Sequence, residues 1–427
     1  MPAGHARDGV SAHPESFMHA ERDDVDGVNV RATLAPMIRR AFRCSVVIAA
    51  AALAGCATAV PPPSSQATVA APVAVPATTT IVPTAAMPAS LPPVPQPPER
   101  PVAPPSVTDP ALPQAQRIDA FVAYAAQDFG VDPATVRDAL AQAQFQQGII
   151  DAISRPAEKV RSWAQYRPIF LNDARIDGGR AFRAEHRAEL DRVAAQTGVP
   201  AEYIVAIIGV ETSYGRITGK YRVLDALYTL AFGYPKRAPF FAGELAQLFA
   251  LGKDEGIDVA TLTGSYAGAM GWGQFMPSSY RLWGKDGDHD GRRDLIGDSD
   301  DIFASIANYF VVHGWQRGGP VVARANRDAG AADFVPDALD PVYSLAALAQ
   351  RGYRPQPGEP VPEAGDARGA TLLRLDGDAG AEYWLGYRNF YVITRYNHSP
   401  MYALAVQQLA QAIRAGGDAT TTGNDGP

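Results

Sequence analysis

Cysteine is nearly absent: the 427 residues hold two, Cys44 and Cys56, both close to the N-terminus. Neither a disulfide framework nor a thiolate metal site can therefore hold the bulk of the chain. Basic charge is not in surplus either, since 38 Lys and Arg stand against 45 Asp and Glu for a net charge of -7. That balance removes the electrostatic basis for nonspecific binding to nucleic acid or to an anionic membrane surface. No internal repeat is visible. What the chain does have is 47% apolar residues together with 36 Pro and 39 Gly, the profile of a globular protein carrying a Pro-rich portion. Its length exceeds what one hydrophobic core usually occupies, so two or more packed units with tails are expected.

The N-terminal region reads as an export signal that starts late. From Met37 a cationic head, MIRRAFR, leads into CSVVIAAAALAGC, an apolar run too short to span a bilayer that ends in small residues at Cys56. Leu53-Ala54-Gly55-Cys56 resembles the lipobox of bacterial lipoproteins, which implies that residues 37–55 are a signal peptide and that Cys56 is lipidated. Residues 1–36 are polar and mixed in charge, and a signal does not work from behind such a leader, so translation is expected to begin at Met37. The resemblance also implies a site on the periplasmic side of the outer membrane of a Gram-negative bacterium, because Ala57 rather than Asp follows the cysteine. Residues 56–113, dominated by Pro, Ala, Val, Ser and Thr, read as a tether in extended polyproline II or as a passive spacer.

Helical patterning begins near residue 115. Phe121, Val122, Ala125 and Phe129 recur at helical spacing, Pro133 opens a further segment, and Leu140, Phe145, Ile149 and Ile150 continue the stripe, which defines a helical domain over 114–197. Gly198 closes one helix and Pro200 starts another carrying Tyr203, Ile204, Ile207 and Ile208. Gly, Pro, Asp and short β-tending pieces mark residues 320–379 as a small β insertion. Helix returns at 400–415, and 417–427 read as a disordered tail. The fold class is mainly α, of α+β type.

The apolar run YIVAIIGV delivers Glu211 directly before Thr-Ser-Tyr-Gly. A carboxyl buried there would be held protonated and could serve as a general acid near neutral pH, whereas a solvated Glu at a helix end would not. Gly264 to Pro277 then packs glycines and aromatics, including Trp272, into a short span that suits close approach to a sugar ring or plain packing. Asp225 reads as a local polar anchor and Glu244 as a solvated residue of an amphipathic helix, so neither is a partner for Glu211.

Four blocks, GVETSYGRITGKYRVLDALYTLAFGYPKRAPFFAGEL (209–245), GSYAGAMGWGQFMPSSY (264–280), ASIANYFVVHGW (304–315) and ITRYNHSPMYALAV (393–406), closely resemble the membrane-bound lytic murein transglycosylase B family, in family order. The resemblance implies a lysozyme-like catalytic core over 198–319 and 380–416, with an additional helical domain and a small β domain. It implies that Glu211 is the lone acid/base, cleaving the β-1,4 bond between N-acetylmuramic acid and N-acetylglucosamine in peptidoglycan and leaving a 1,6-anhydro end. It further implies that Ser265 hydrogen-bonds the Glu211 carboxylate, that Gln274 meets the sugar, and that Tyr396 and Asn397 face the same cleft. Tyr309, Tyr234 and Arg237 are further candidates for glycan or stem-peptide contact, Arg237 through the two-point fork that guanidinium offers a carboxylate. His398 reads as structural. Rival readings are a hydrolytic muramidase on the same fold and an inactive peptidoglycan-binding lipoprotein. The expected partners are glycan strands and, through the lipid, the outer membrane; a monomer is expected, with cell-wall synthases as candidate associates.

Asp286, Asp288 and Asp290 occupy first, third and fifth positions of an EF-hand opening with Gly291 at the sixth, a pattern for calcium. The twelfth position is Gly297 rather than Glu, so the loop departs from the standard form. By resemblance to the family's lengthened loop, 286–301, the Arg292 carbonyl contributes and Asp301 closes the site, with Asp298 as the alternative. The ion is expected to stabilise, and no cofactor is expected for the chemistry.

Overall fold

A computed structural model describes residues 102–154, 161–363 and 369–417 of the chain. The expected start at Met37, the signal peptide, Cys56 and residues 418–427 of the expected tail lie outside the described residues.

The chain runs through helices α1 (Pro105–Thr108), α2 (Gln114–Phe129), α3 (Pro133–Gln142), α4 (Gln147–Ser154), α5 (Trp163–Phe170), α6 (Asp173–Glu185), α7 (Arg187–Thr197) and α8 (Ala201–Thr212). Strand β1 (Tyr221–Arg222) leads into α9 (Val223–Gly233) and α10 (Ala238–Glu255), then β2 (Thr263–Gly264), α11 (Pro277–Trp283) and α12 (Ser299–Val312). A strand-rich module follows, with β3 (Val322–Arg327), α13 (Leu345–Gln350), β4 (Tyr353–Pro355), β5 (Thr371–Gly377) and β6 (Gly380–Gly386). Helices α14 (Arg388–Tyr396) and α15 (Pro400–Gly417) complete it.

Two expected boundaries move. The tether does not reach 113: Val107 is fully buried, the Ala103 amide donates to the Pro239 carbonyl at 3.1 Å, and α1 packs on α2 and α10. Two consecutive prolines, Pro104 and Pro105, hide this element in the sequence, yet Pro in a first helical turn costs no backbone bond. The β insertion does not stop at 379, because β6 is central to its sheet. The antiparallel order is β4-β3-β6-β5, with Ala323 opposite Leu385 and Leu373 opposite Trp384. Alternation splits the sheet's two faces. Val322, Leu373, Leu375 and Trp384 join the main core, where β5 meets α5, while Ala323, Ala325, Leu372 and Leu385 close a second small core with Leu348, Tyr353 and Tyr387.

The helices from α2 to α7 share one continuous apolar cluster with α8 to α12 and α15. Helix α8 is its axis: every residue from Ala201 to Gly209 is buried. Gly198, in the left-handed region at φ 76°, ends α7 and lets the chain turn into it. Among the described residues, no single helix is long and apolar enough to cross a membrane. The work of so apolar a helix is to carry a polar side chain, Glu211, rigidly to its end.

Candidate active site

Glu211 is the penultimate residue of α8 and remains half-buried, ringed by protein yet reachable from solvent. Burial raises its pKa from the ordinary 4.5 to about 7, and the opposing influence is a hydrogen bond from the Tyr402 hydroxyl to Glu211 Oε1 at 2.5 Å. Among the described residues, no acidic side chain contributes to that shift. Tyr402, on α15, is itself pushed well above its usual phenol range, first by burial and then by the Glu211 charge, so it stays a neutral donor. Tyr166 of α5 also feels Glu211, and burial raises its pKa too. The carboxyl thus sits among phenols rather than among charges.

The loop beside the end of α8, where the Thr212 hydroxyl donates to the Trp272 carbonyl at 2.9 Å, is delivered by the short β1–β2 ladder, in which Tyr221 pairs with Gly264 and Arg222 with Thr263. A Cβ on Gly219 would lie 2.1 Å from the Gly264 carbonyl, and its φ is 105°, so only glycine permits this approach. Beyond the ladder, Ser265 is 4% exposed, and its Oγ accepts from the amides of Ala267 at 3.3 Å and Ala269 at 3.1 Å. The bond described to the Glu211 carboxylate comes from Tyr402, while the bonds described for Ser265 Oγ shape its own loop. Gln274 takes a left-handed φ of 52°, and its Nε2 donates to the Thr218 and Gly271 carbonyls at 3.1 and 3.0 Å. With both amide protons committed, its Oε1 is the atom left to offer a ligand.

Tyr396 donates to the Gly273 carbonyl at 2.6 Å, which fastens the end of α14 to this loop. Asn397 caps α14, and its Oδ1 accepts from the Ser399 amide at 3.1 Å. Tyr309 departs from expectation. Its ring is 5% exposed, packed against Tyr396 and His313, and its hydroxyl donates to the Arg395 carbonyl at 2.5 Å, so it braces Tyr396 rather than meeting a sugar. Tyr234 caps α9, and Arg237 at the start of α10 lies over the rings of Phe240 and Phe241, 4.5 and 5.0 Å from their centroids. The contacts described for Arg237 belong to that helix corner. His398 lies 3.3 Å from Arg395 Nη2, in keeping with a structural part. Trp272, partly buried, packs on Phe182 and over Gly215 against the core, and Met270, 1% exposed, is part of it.

Asp225 is a buried anchor, accepting from the Gln144 amide at 2.8 Å and from Arg222 at 2.5 Å. Glu244 is not solvated, as its helix pattern suggests, but 2% exposed, accepting from Ser278 N at 2.9 Å and Ser278 Oγ at 2.5 Å. It satisfies an orphan amide in the first turn of α11.

In the acidic loop, carboxylate oxygens of Asp286, Asp288 and Asp290 converge within 4.8 Å of one another, a donor set of hard oxygens that fits a calcium-sized cation. Asp301 is buried, and its two oxygens accept from the Gly287 and Asp294 amides, both at 2.6 Å, so it clamps the two ends of the loop. Asp298 caps α12 through the Asp300 amide at 2.8 Å.

A family model described as "Transglycosylase SLT domain" matches residues 113–411. The chain belongs to that family. The transglycosylase domain therefore takes in every described candidate residue and most of both packed cores, with Ala103, Val107 and Ile413 of the main core lying outside it. The chain is 41% identical over 310 residues, 70% of its length and 82% of the relative's, to membrane-bound lytic murein transglycosylase B of Escherichia coli K12. Among solved structures it resembles soluble lytic transglycosylase SltB1 of Pseudomonas aeruginosa, with 48% identity, a TM-score of 0.66, and coverage of 70% of this chain and 99% of that one. It also resembles the E. coli lytic transglycosylase Slt35 in complex with calcium, with 40% identity, a TM-score of 0.63, and coverage of 70% and 93%.

Two side chains of this transglycosylase site, Tyr402 and Tyr166, escape sequence reasoning. Tyr402 lies in an Ala- and Leu-rich helical stripe where an aromatic reads as core. The signal is its hydroxyl, which must find a partner when buried.

Proposed function

We propose that this protein is a lytic transglycosylase that cleaves the bond between N-acetylmuramic acid and N-acetylglucosamine in peptidoglycan, with Glu211 as acid and then base. The observation that carries the reading is a carboxyl kept neutral up to about pH 7 by burial, with no acidic neighbour acting on it among the described residues. Hydrolytic glycosidases pair two carboxyl groups so that one can activate water or attack carbon. A site with one carboxyl suits a reaction in which the sugar supplies its own nucleophile. Glu211 gives its proton to the glycosidic oxygen, the bond to C1 breaks, and the 2-acetamido carbonyl steadies the cationic carbon. The carboxylate then removes the C6 hydroxyl proton as that oxygen bonds to C1, which closes the anhydro ring and restores the acid. No water is consumed, and intramolecular attack has the advantage of high effective molarity. In this reading Gln274, through Oε1, and Asn397 bind the sugar while Tyr396 holds the cleft wall, which the bond from Gln274 Nε2 to Gly271 O and that from Tyr396 to Gly273 O support.

A calcium ion held by Asp286, Asp288, Asp290 and the Arg292 carbonyl fits the same reading, with charge neutralisation and loop bracing as its contribution. The calcium complex of Slt35 supports it. Each carboxylate oxygen has a second acceptor site, so Asp301 can close the loop while keeping its amide bonds. Lipidation at Cys56 and attachment to the outer membrane complete the proposal, supported by the membrane-bound relative. Mass spectrometry of products from purified sacculi tests the chemistry. Ends lighter by one water than reducing ends are expected, and reducing ends alone would make the enzyme a hydrolase.

A further inference from the structure

The turn behind Glu211 is strained. Ser213, Tyr214 and Gly215 follow one another at φ 53°, 65° and 76°, and the first two are not glycine. A side chain in the left-handed region costs roughly 1–2 kcal/mol, so the surroundings must hold two such residues in place. The turn's own bonds do part of this: Ser213 N donates to Gly209 O and Tyr214 N to Ile208 O, both at 3.2 Å. The rest comes from α6. The Tyr214 hydroxyl donates to the Arg175 carbonyl at 2.6 Å, and the Arg175 guanidinium donates back to the Gly209 carbonyl in the last turn of α8.

The ring between these bonds fits only because three residues lack side chains. A Cβ on Gly209 would lie 2.8 Å from the Tyr214 ring, one on Gly178 would lie 3.0 Å from it, and one on Gly179 would lie 2.6 Å from its hydroxyl. Phe182 closes the remaining side, with ring centroids 5.6 Å apart. These constraints act together on the turn, whose first residue, Ser213, is two residues from Glu211.

We propose that Tyr214, clamped by Arg175 and seated on Gly178, Gly179 and Gly209, is a positioning residue that fixes the end of α8 and so holds the Glu211 carboxyl against Tyr402. It touches neither sugar nor the reacting atoms; its action passes through the backbone. The inference rests on Glu211 as the acid. The titratable groups facing Glu211 are Tyr402 of α15 and Tyr166 of α5, with Tyr396 of α14 behind Tyr402. The cations Arg175 and Arg216 act on Tyr214. Loosening the turn would expose more of the half-buried carboxyl to solvent and return its ionisation toward that of an ordinary Glu.

The test is Tyr214→Phe, which keeps the ring and removes the clamp bond. Carbon-13 NMR of Glu-labelled protein follows the Glu211 carboxyl, assigned with Glu211→Gln, alongside kcat and KM on soluble glycan strands across pH. The expected result is a Glu211 titration moved to lower pH, kcat down by about tenfold or more, and KM nearly unchanged. Tyr353→Phe is the control, since it removes a comparable phenol-to-carbonyl bond, to Ala332 at 2.9 Å, inside the strand-rich module; it should leave the titration alone. Arg175→Lys, which keeps the charge but loses the guanidinium donor to the Gly209 carbonyl, is the second variant and should move the titration the same way by less. A folded Tyr214→Phe or Arg175→Lys protein whose Glu211 titrates as in wild type overturns the clamp. Wild-type protein yielding no anhydro ends overturns the functional reading instead, while the titration still decides the clamp.

Discussion

At the scale of one residue, Glu211 does its work by being uncomfortable. Its ordinary pKa of 4.5 is raised to about 7, so the folded state binds a proton that the unfolded state releases. The sign follows from linkage. Below about pH 4.5 both states are protonated and nothing is lost, whereas stability falls as pH climbs through about 7, where the folded protein must hold a buried charge. Glu211→Gln should therefore abolish anhydro product and also raise the melting temperature at pH 8, by on the order of 1–3 kcal/mol of stability, with no gain at pH 4. Calorimetry at both pH values checks it, and equal gains would mean the carboxyl is not strained. Tyr402 supplies a second sign. Its hydrogen bond favours the carboxylate, so Tyr402→Phe should raise the Glu211 pKa and move the alkaline limb of kcat upward while lowering kcat itself. A limb that moves downward in pH would show that Tyr402 acts otherwise.

At the scale of an element, the sequence exposes what periodicity and punctuation encode and hides what folding brings from afar. Helix α8 is legible because nine of its ten residues before Glu211 are apolar or small, Glu202 being the exception. The acidic loop is legible because its spacing is local. Tyr402 is not, since the bond that matters joins residues 191 positions apart. Glu244 misleads for the same reason: its helix has a polar face by pattern, but α11 packs over that face and makes the carboxylate a buried acceptor for Ser278. Ser265 is found by its motif, but the two amides its oxygen accepts show only in the folded loop. The loop leading into α12 carries its own prediction. Three convergent carboxylates repel unless a cation sits among them, so calcium should raise the melting temperature and chelator should lower it, with the product unchanged. Asp290→Ala should remove the calcium dependence of the melting curve; a curve indifferent to chelator in wild type would count against any ion there.

At the scale of the whole molecule, chemistry and location are separable. Every described residue near Glu211 lies within 113–411, the stretch the transglycosylase family covers, while Cys56 lies outside it. Packing of the described chain begins at Ala103, whose amide bonds Pro239. Acyl chains at one cysteine contribute about 0.8 kcal/mol for each buried methylene, enough for stable anchoring when more than one chain is attached. None of the described residues around Glu211 belongs to the segment that carries the proposed anchor. Cys56→Ser should therefore move the protein from the membrane fraction to the soluble periplasmic fraction, while the purified variant turns over isolated sacculi at the wild-type rate. The effect belongs to geometry: on intact cells the freed enzyme would lose the local concentration that a surface tether provides, and cleavage of the nearby wall would fall even though kcat on isolated sacculi had not. Retention of the variant in membranes would remove Cys56 as the anchor, and loss of turnover on isolated sacculi would show that the tethered segment takes part in the site.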